Sequence, residues 1–313
     1  MTEPGQAIRV DKLTMEFPGV VAVDHLSFDV LHGEIFGLVG PDGAGKTTVM
    51  RMLAGVLTPS SGSAAVAGFD IVRDPEGVKN NISYMSQRFG LYEDLTVEEN
   101  IRFYADIFGL SRTDRERRAS TLLGAAGMTP FGKRLAGKLS GGMKQKLGLV
   151  CALLHTPQVI LLDEPTNGVD PASRRDFWGI LYSLLDEKVS ILISTSYLDE
   201  AERCHHVALL HRGRLLFCDT PAELKKNLHG AVLAVVSSEP RRLRDFLSGS
   251  EGVSNMVLVG DGLHLVVDDA TKRVAELRSR IESANLPFDR IEEVTPTIED
   301  IFVQTIGSGG GEG

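Results

Sequence analysis

The 313-residue chain is poor in cysteine, tryptophan and long apolar runs, and each shortage excludes something. Its three cysteines, Cys151, Cys204 and Cys218, are odd in number and show no Cys-x-x-Cys spacing. That argues against a disulfide framework or a zinc site, and for thiols kept reduced in the cytosol. No apolar run approaches the roughly 18 residues needed to span a bilayer. The start, Met-Thr-Glu-Pro-Gly-Gln, has no basic stretch leading into an apolar one, so no secretory leader is expected. Positive charge is also short. With 33 Lys and Arg against 42 Asp and Glu, the net charge is −9, the reverse of a nucleic-acid binder's basic face. The run 112–118 mixes signs and reads as a solvated helical face.

What is present is organised around phosphate chemistry. A short apolar run, Glu34-Ile-Phe-Gly-Leu-Val39, feeds Gly40-Pro-Asp-Gly-Ala-Gly-Lys-Thr47, which satisfies G-x-x-x-x-G-K-[ST] between a strand and a helix. In such a loop Gly40, Gly43 and Gly45 let the backbone wrap phosphates, with Asp42 and Ala44 between them. Lys46 brings a point charge to the β and γ groups, and the hydroxyl of Thr47, followed by Thr48, would ligate Mg²⁺. A second apolar strand, 159–162, ends in Asp163-Glu164-Pro165. Asp163 is placed to hold Mg²⁺, directly or through water. Adjacent strand positions face opposite ways, so Glu164 reaches the same site only if the strand stops there. Pro165 makes that stop plausible, and Glu164 would then polarise an attacking water.

Alternating strands and helices imply an α/β fold with a largely parallel sheet. Strands and hairpins are expected over 7–39, a helix over 46–57, and a mainly helical insertion over 96–128 and 142–155. Strands return at 159–162 and 190–194 around a helix at 172–187. Past 228 the pattern changes. Strands at 231–237, 253–259 and 262–267 with helices near 239–248 and 270–284 suggest a small α+β unit over 229–306, a ferredoxin-like one being the arrangement considered. The glycine-rich 307–313 reads as a flexible tail.

The segment Leu139-Ser-Gly-Gly-Met-Lys-Gln carries the most specific message. Together with the motifs above, it makes residues 8–225 resemble the ATP-binding-cassette (ABC) ATPases. The resemblance implies a P-loop NTPase domain over 1–228, with a RecA-like core, an antiparallel β subdomain and a helical subdomain at about 90–156. It implies ATP and Mg²⁺ as ligands and ATP hydrolysis as the activity. Head-to-tail pairing with a second ABC ATPase, in a homo- or heterodimer, would let Ser140, Gly141 and Gly142 close over the partner's ATP. Gln87, in Tyr84-Met-Ser-Gln87, matches the residue that senses Mg²⁺ and the lytic water. Asp170, in Asn167-Gly-Val-Asp170, matches the aspartate that communicates across the dimer. Phe17 stands where the family stacks an aromatic on adenine, with Val23 beside it, although core packing accounts for Phe17 equally well.

Within the family, the phosphate loop, the run Arg88-Phe-Gly-Leu-Tyr-Glu-Asp-Leu-Thr96, Ser194-Thr-Ser-Tyr-Leu-Asp-Glu-Ala-Glu202 and Pro296-Thr-Ile-Glu-Asp-Ile-Phe302 are similar to ATPase subunits of ABC-2-type multidrug exporters. The likeness is strongest to the first half of tandem-ATPase members. It implies a separate transmembrane permease as partner, a location on the inner face of the membrane, and a groove at about 88–108 that receives a permease helix; apolar Phe89, Leu91, Tyr92 and Leu95 suit such a groove, although helix-core packing explains some of them equally well. One position departs from the pattern. After Ile191-Leu-Ile-Ser-Thr195 the family has a histidine that bonds the γ-phosphate, and this chain has Ser196. Losing a charge-assisted bond costs about 1.5–3 kcal/mol, or roughly 10- to 100-fold in turnover if the bond belongs to the transition state. Ser196 or a water serving in its place is the other reading, and a non-catalytic ATP-binding partner in a heterodimer is the alternative function it raises.

Overall fold

The computed structural model describes residues 5–87, 90–260 and 262–309, which divide into two compact units. The first comprises the described residues up to 197 and 204–218, the second 198–203 and the described residues from 219 on.

In the first unit, β1 (Gln6–Phe17) and β2 (Val20–Leu31) form a long antiparallel hairpin, and the strands alternate buried and exposed residues along much of their length. β3 (Ile35–Val39) is buried at all five positions and leads into α1 (Lys46–Leu53). β4 (Ser61–Val66) and β5 (Phe69–Asp70) complete a four-stranded sheet ordered β2-β1-β4-β5. Then come α2 (Pro75–Asn81) and β6 (Ile82–Met85), followed by α3 (Val97–Ile107), α4 (Arg112–Ala125) and α5 (Gly141–Leu153). The chain returns through β7 (Val159–Asp163), α6 (Pro171–Leu185) and β8 (Ser190–Thr195). Beyond α7 (Leu198–Ala201), β9 (His206–His211) and β10 (Arg214–Asp219) end a six-stranded sheet ordered β10-β9-β3-β8-β7-β6.

The pairs β6–β7, β7–β8, β8–β3 and β3–β9 are parallel. Strands covered on both faces lose the alternating pattern, and β7 and β8 are accordingly buried throughout. Parallel registry also puts the C-terminal ends of β3, β7 and β8 side by side, with Val39 opposite Thr195 and Asp163 opposite Ser194. Ligands of open α/β sheets bind at that edge.

Local chemistry sets the helix starts. Thr96 and Glu99 form a reciprocal capping box on α3, and Ser111, Ser140 and Asp170 cap α4, α5 and α6. Helix α1 differs, because Gly45 at its N-cap supplies no side chain. Helices α5 and α6 approach closely at Gly142, where a Cβ would stand 2.4 Å from Cβ of Ser173.

The second unit contains α7, α8 (Pro221–Lys226), β11 (Ala231–Val236), α9 (Pro240–Leu247), β12 (Val253–Val259), β13 (Gly262–Val267), α10 (Ala270–Ser283), β14 (Arg290–Val294) and α11 (Ile298–Gly309). Its sheet runs β12-β13-β11-β14 with every neighbour antiparallel, the split βαβ arrangement. Leu233, Val235, Leu263, Leu265 and Val267 make a core with Leu243 and Leu247 of α9 and Leu277 and Ile281 of α10.

Besides 198–203, the unit runs on from Asp219, ahead of the 229 expected from sequence, because Leu224 of α8 is buried and α8 packs on α11. Helix α11 also takes in 307–309, which the sequence reading gave to a tail. A helix already nucleated gains one hydrogen bond per added residue. The rest of that tail lies outside the described residues. Among the described residues no helix is long and apolar enough to cross a membrane.

Candidate functional site

The phosphate loop occupies the turn from β3 to α1. Gly43 (φ 79°) and Gly45 (φ 103°) take left-handed backbone, and a Cβ on Gly45 would meet the Ala22 carbonyl oxygen at 2.5 Å. Because α1 has no side-chain cap, its first N–H groups are left to an anion, with the helix dipole behind them.

Lys46 is the first residue of α1 and only 4% exposed. Its ammonium has three donors, and each has a partner: Gly40 O at 2.7 Å, Pro41 O at 3.1 Å and Glu164 Oε1 at 3.0 Å. Glu164 reaches this position because β7 ends at Asp163 and Glu164 itself adopts φ 48°. Left-handed backbone at a non-glycine residue is uncommon. Here it brings two consecutive carboxylates into one site. The other Glu164 oxygen, Oε2, accepts from Gln87 Nε2 at 3.1 Å and from Asn167 Nδ2 at 3.2 Å.

Asp163 is 1% exposed and surrounded by hydroxyls. Oδ1 accepts from Thr47 Oγ1 at 3.0 Å and from Ser194 Oγ at 2.7 Å, and Oδ2 accepts from Tyr84 at 3.3 Å. Burial, and then the neighbouring Asp163 charge, push the Tyr84 phenol up to about 12, so it stays protonated. A hard cation takes oxygen ligands, and the Thr47 hydroxyl with the Asp163 carboxylate is such a donor pair. These residues therefore fit Mg²⁺.

A cavity of about 560 Å³ opens over the loop, lined by Asp42 to Thr48, Gln87, Glu164, Val20, Val21, Ala22, Arg212 and Gly213. The remaining candidates sit elsewhere. Val23 is fully buried and supports the loop from below without lining the cavity. Phe17 is 43% exposed, pairs with Val20 across the β1–β2 turn and is not a core residue, so core packing does not explain it. Ser196 follows the end of β8 and is half-buried.

Ser140, Gly141 and Gly142 begin α5 and do not line this cavity. Ser140 and Gly141 are exposed, whereas Gly142 is packed against Ser173. Asp170 caps α6 by accepting from Ala172 N at 3.1 Å and Ser173 N at 2.9 Å, bonds that hold its carboxyl below the usual range.

Of the expected groove residues, Phe89 lies outside the described residues. Leu91 and Leu95 are half-buried, and Tyr92 is exposed with its ring 4.5 Å from that of Phe103. A largely apolar cavity of about 280 Å³ is lined instead by other residues, Val56, Ile82, Tyr84, Tyr104 and Phe108 among them.

Sequence reasoning missed Arg212 and Gly213 as site residues, and it quoted Tyr84, Asn167 and Ser194 only as parts of motifs. A hydroxyl at the end of the apolar run Ile191-Leu-Ile-Ser194 was a usable signal, because buried polar groups are normally bonded. Arg212 and Gly213 had none, since the β9–β10 turn reaches the loop only through the fold, where Gly213 N bonds Ala44 O at 3.1 Å.

Comparison with known proteins agrees with this geometry. The family model described as ABC transporter matches residues 23–167. The chain is 43% identical over 307 residues to the probable multidrug ABC transporter ATP-binding protein YbhF of Escherichia coli K12, covering 97% of this chain and 52% of that one. It thus spans about half the length of that relative. It is 33% identical to the doxorubicin resistance ATP-binding protein DrrA of Mycobacterium tuberculosis, covering 91% of this chain and 88% of that one. A solved structure of the ATP-binding subunit of an ABC transporter superposes with a TM-score of 0.64 at 31% identity, covering 70% of this chain and 92% of the other. The chain belongs to the ABC transporter family and carries its ATP-binding domain.

Proposed function

We propose that the chain binds and hydrolyses ATP with Mg²⁺ and so powers export of a substrate through a separate transmembrane permease of the ABC-2 type. The observation that carries this reading is the convergence of Lys46, Thr47, Glu164 and Gln87 on one cavity, with buried Asp163 bonded to Thr47. Mg²⁺ would be held by Thr47 and Asp163, and when bound it neutralises developing phosphate charge. Lys46 turns from Glu164 to the γ-phosphate. Glu164, released from that ion pair but still held by Gln87 and Asn167, accepts a proton from the attacking water. Ser140 and Gly141, exposed at the start of α5, suit the family's arrangement in which the signature of one ATPase closes on ATP held by a second. The drug-resistance names of the relatives and the apolar cavity beside 90–108 support the permease and the membrane-facing location. Co-expression with a candidate permease tests the whole reading: export from cells that requires Glu164 is expected, and export unaffected by Glu164→Gln would refute it.

A second reading is favoured by Ser196 alone: an ATP-binding partner of low turnover in a heterodimer, whose signature serves the stronger site. Two protomers that hydrolyse equally fast would remove it.

A further inference from the structure

We propose that Ser194 is a positioning residue for this site, one hydroxyl fixing both the Asp163 carboxylate and the backbone turn that presents Glu164. The inference rests on the hydrolytic reading above. Ser194 is fully buried near the end of β8 and lies opposite Asp163 in the parallel register. A serine hydroxyl has one proton and two lone pairs. Its proton goes to Asp163 Oδ1 at 2.7 Å, and its oxygen accepts the Glu164 N–H at 3.1 Å. The same N–H lies 3.1 Å from the Ser194 carbonyl. One residue thus grips the start of the left-handed turn at Glu164 from two atoms, and such backbone persists only where its surroundings over-determine it.

Asp163 Oδ1 is shared between Ser194 and Thr47. When the Thr47 oxygen turns to a cation, the Ser194 bond is what keeps that carboxylate oriented. Partners of this kind, which touch a ligand and not the metal, typically govern affinity by roughly 10- to 100-fold. Ser194 needs neither charge nor contact with nucleotide to act in this way.

The test is the affinity of the full chain for a non-hydrolysable ATP analogue, measured with EDTA and again with Mg²⁺. For Ser194→Ala we expect unchanged affinity in EDTA, which also certifies the fold of the loop. The Mg²⁺-linked gain should fall roughly 10-fold or more, and Ser194→Thr, which keeps the hydroxyl, should restore it. A Ser194→Ala protein with the full Mg²⁺-linked gain would overturn the proposal. Loss of affinity in EDTA as well would assign Ser194 to packing and overturn it too. Absence of any Mg²⁺-linked gain in the wild type would instead refute the hydrolytic reading itself, and the two failures are distinguishable.

Discussion

Glu164 Oε1 stands 3.0 Å from Lys46 Nζ, with both side chains less than a tenth exposed. On the proposed hydrolytic reading, the residue that activates water is thus bonded to the residue that holds the γ-phosphate. On that reading the pairing ties the two functions together, since a phosphate that recruits Lys46 also frees the carboxylate.

Breaking a buried ion pair from one side leaves an uncompensated charge, at a cost of about 3–5 kcal/mol. Lys46→Met should therefore destabilise the ATP-binding unit by about that much without nucleotide. The double variant Lys46→Met/Glu164→Gln should recover much of the loss. Urea unfolding of the wild type, Lys46→Met, Glu164→Gln and the double variant reads the coupling, and additive effects would show the pair to be unimportant for stability.

Ser196 lies where a cationic or strongly donating ring is expected from family resemblance. Ser196→His should raise single-turnover hydrolysis roughly 10- to 100-fold. The comparison requires ATP affinity to be measured alongside, so that tighter binding is not mistaken for faster chemistry.

At the α5–α6 contact, a methyl on Gly142 would press on Ser173 Cβ at 2.4 Å and Oγ at 2.5 Å. Gly142→Ala should lower stability by about 1–3 kcal/mol through overpacking, and Ser173→Gly should relieve part of it. Hydrogen exchange in α5 and α6 locates the effect. Since Gly142 belongs to the signature, reduced activity in such variants reports packing as well as nucleotide contact.

In the second unit, Asp300 is fully buried. Burial alone would raise its pKa, but bonds from His264 at 3.1 Å and from Thr297 N and Oγ1 at 2.8 Å hold it below the usual carboxylate value of 3.8. A depressed pKa in the folded state gives stability that is complete above 3.8 and lost as pH falls through the lower folded value. Protection of β13 and α11 amides, relative to their intrinsic exchange rates, should thus fall in acid below that point. Asp300→Asn should lower it at neutral pH and flatten the acid response.

Much of the site could be read before folding, because its chemistry is local. The phosphate loop, the Asp163-Glu164 pair and the signature are each contiguous runs, and β3, β7 and β8 announce themselves as short apolar stretches before a turn. Whether Glu164 would share the site with Asp163 turned on a single backbone angle, which Pro165 hinted at and φ 48° supplies. Legibility failed where residues meet only through the sheet. Ser194 reaches the site from the end of β8 and Arg212 and Gly213 from the β9–β10 turn, and no spacing links them to Lys46. Val23, expected beside Phe17, is buried next to Gly45, while Val20, Val21 and Ala22 border the cavity. The short strands β5 and β14 and the helix α8 carry too few residues for a periodicity to show.

Hydrolysis of a single ATP per site, followed in the presence of Mg²⁺ for the wild-type chain and for Glu164→Gln, tests the central claim most directly. The account predicts that the variant binds ATP at least as well and hydrolyses it roughly 100-fold or more slowly, the range expected for loss of a general base. A Glu164→Gln protein that hydrolyses bound ATP as fast as the wild type would contradict it.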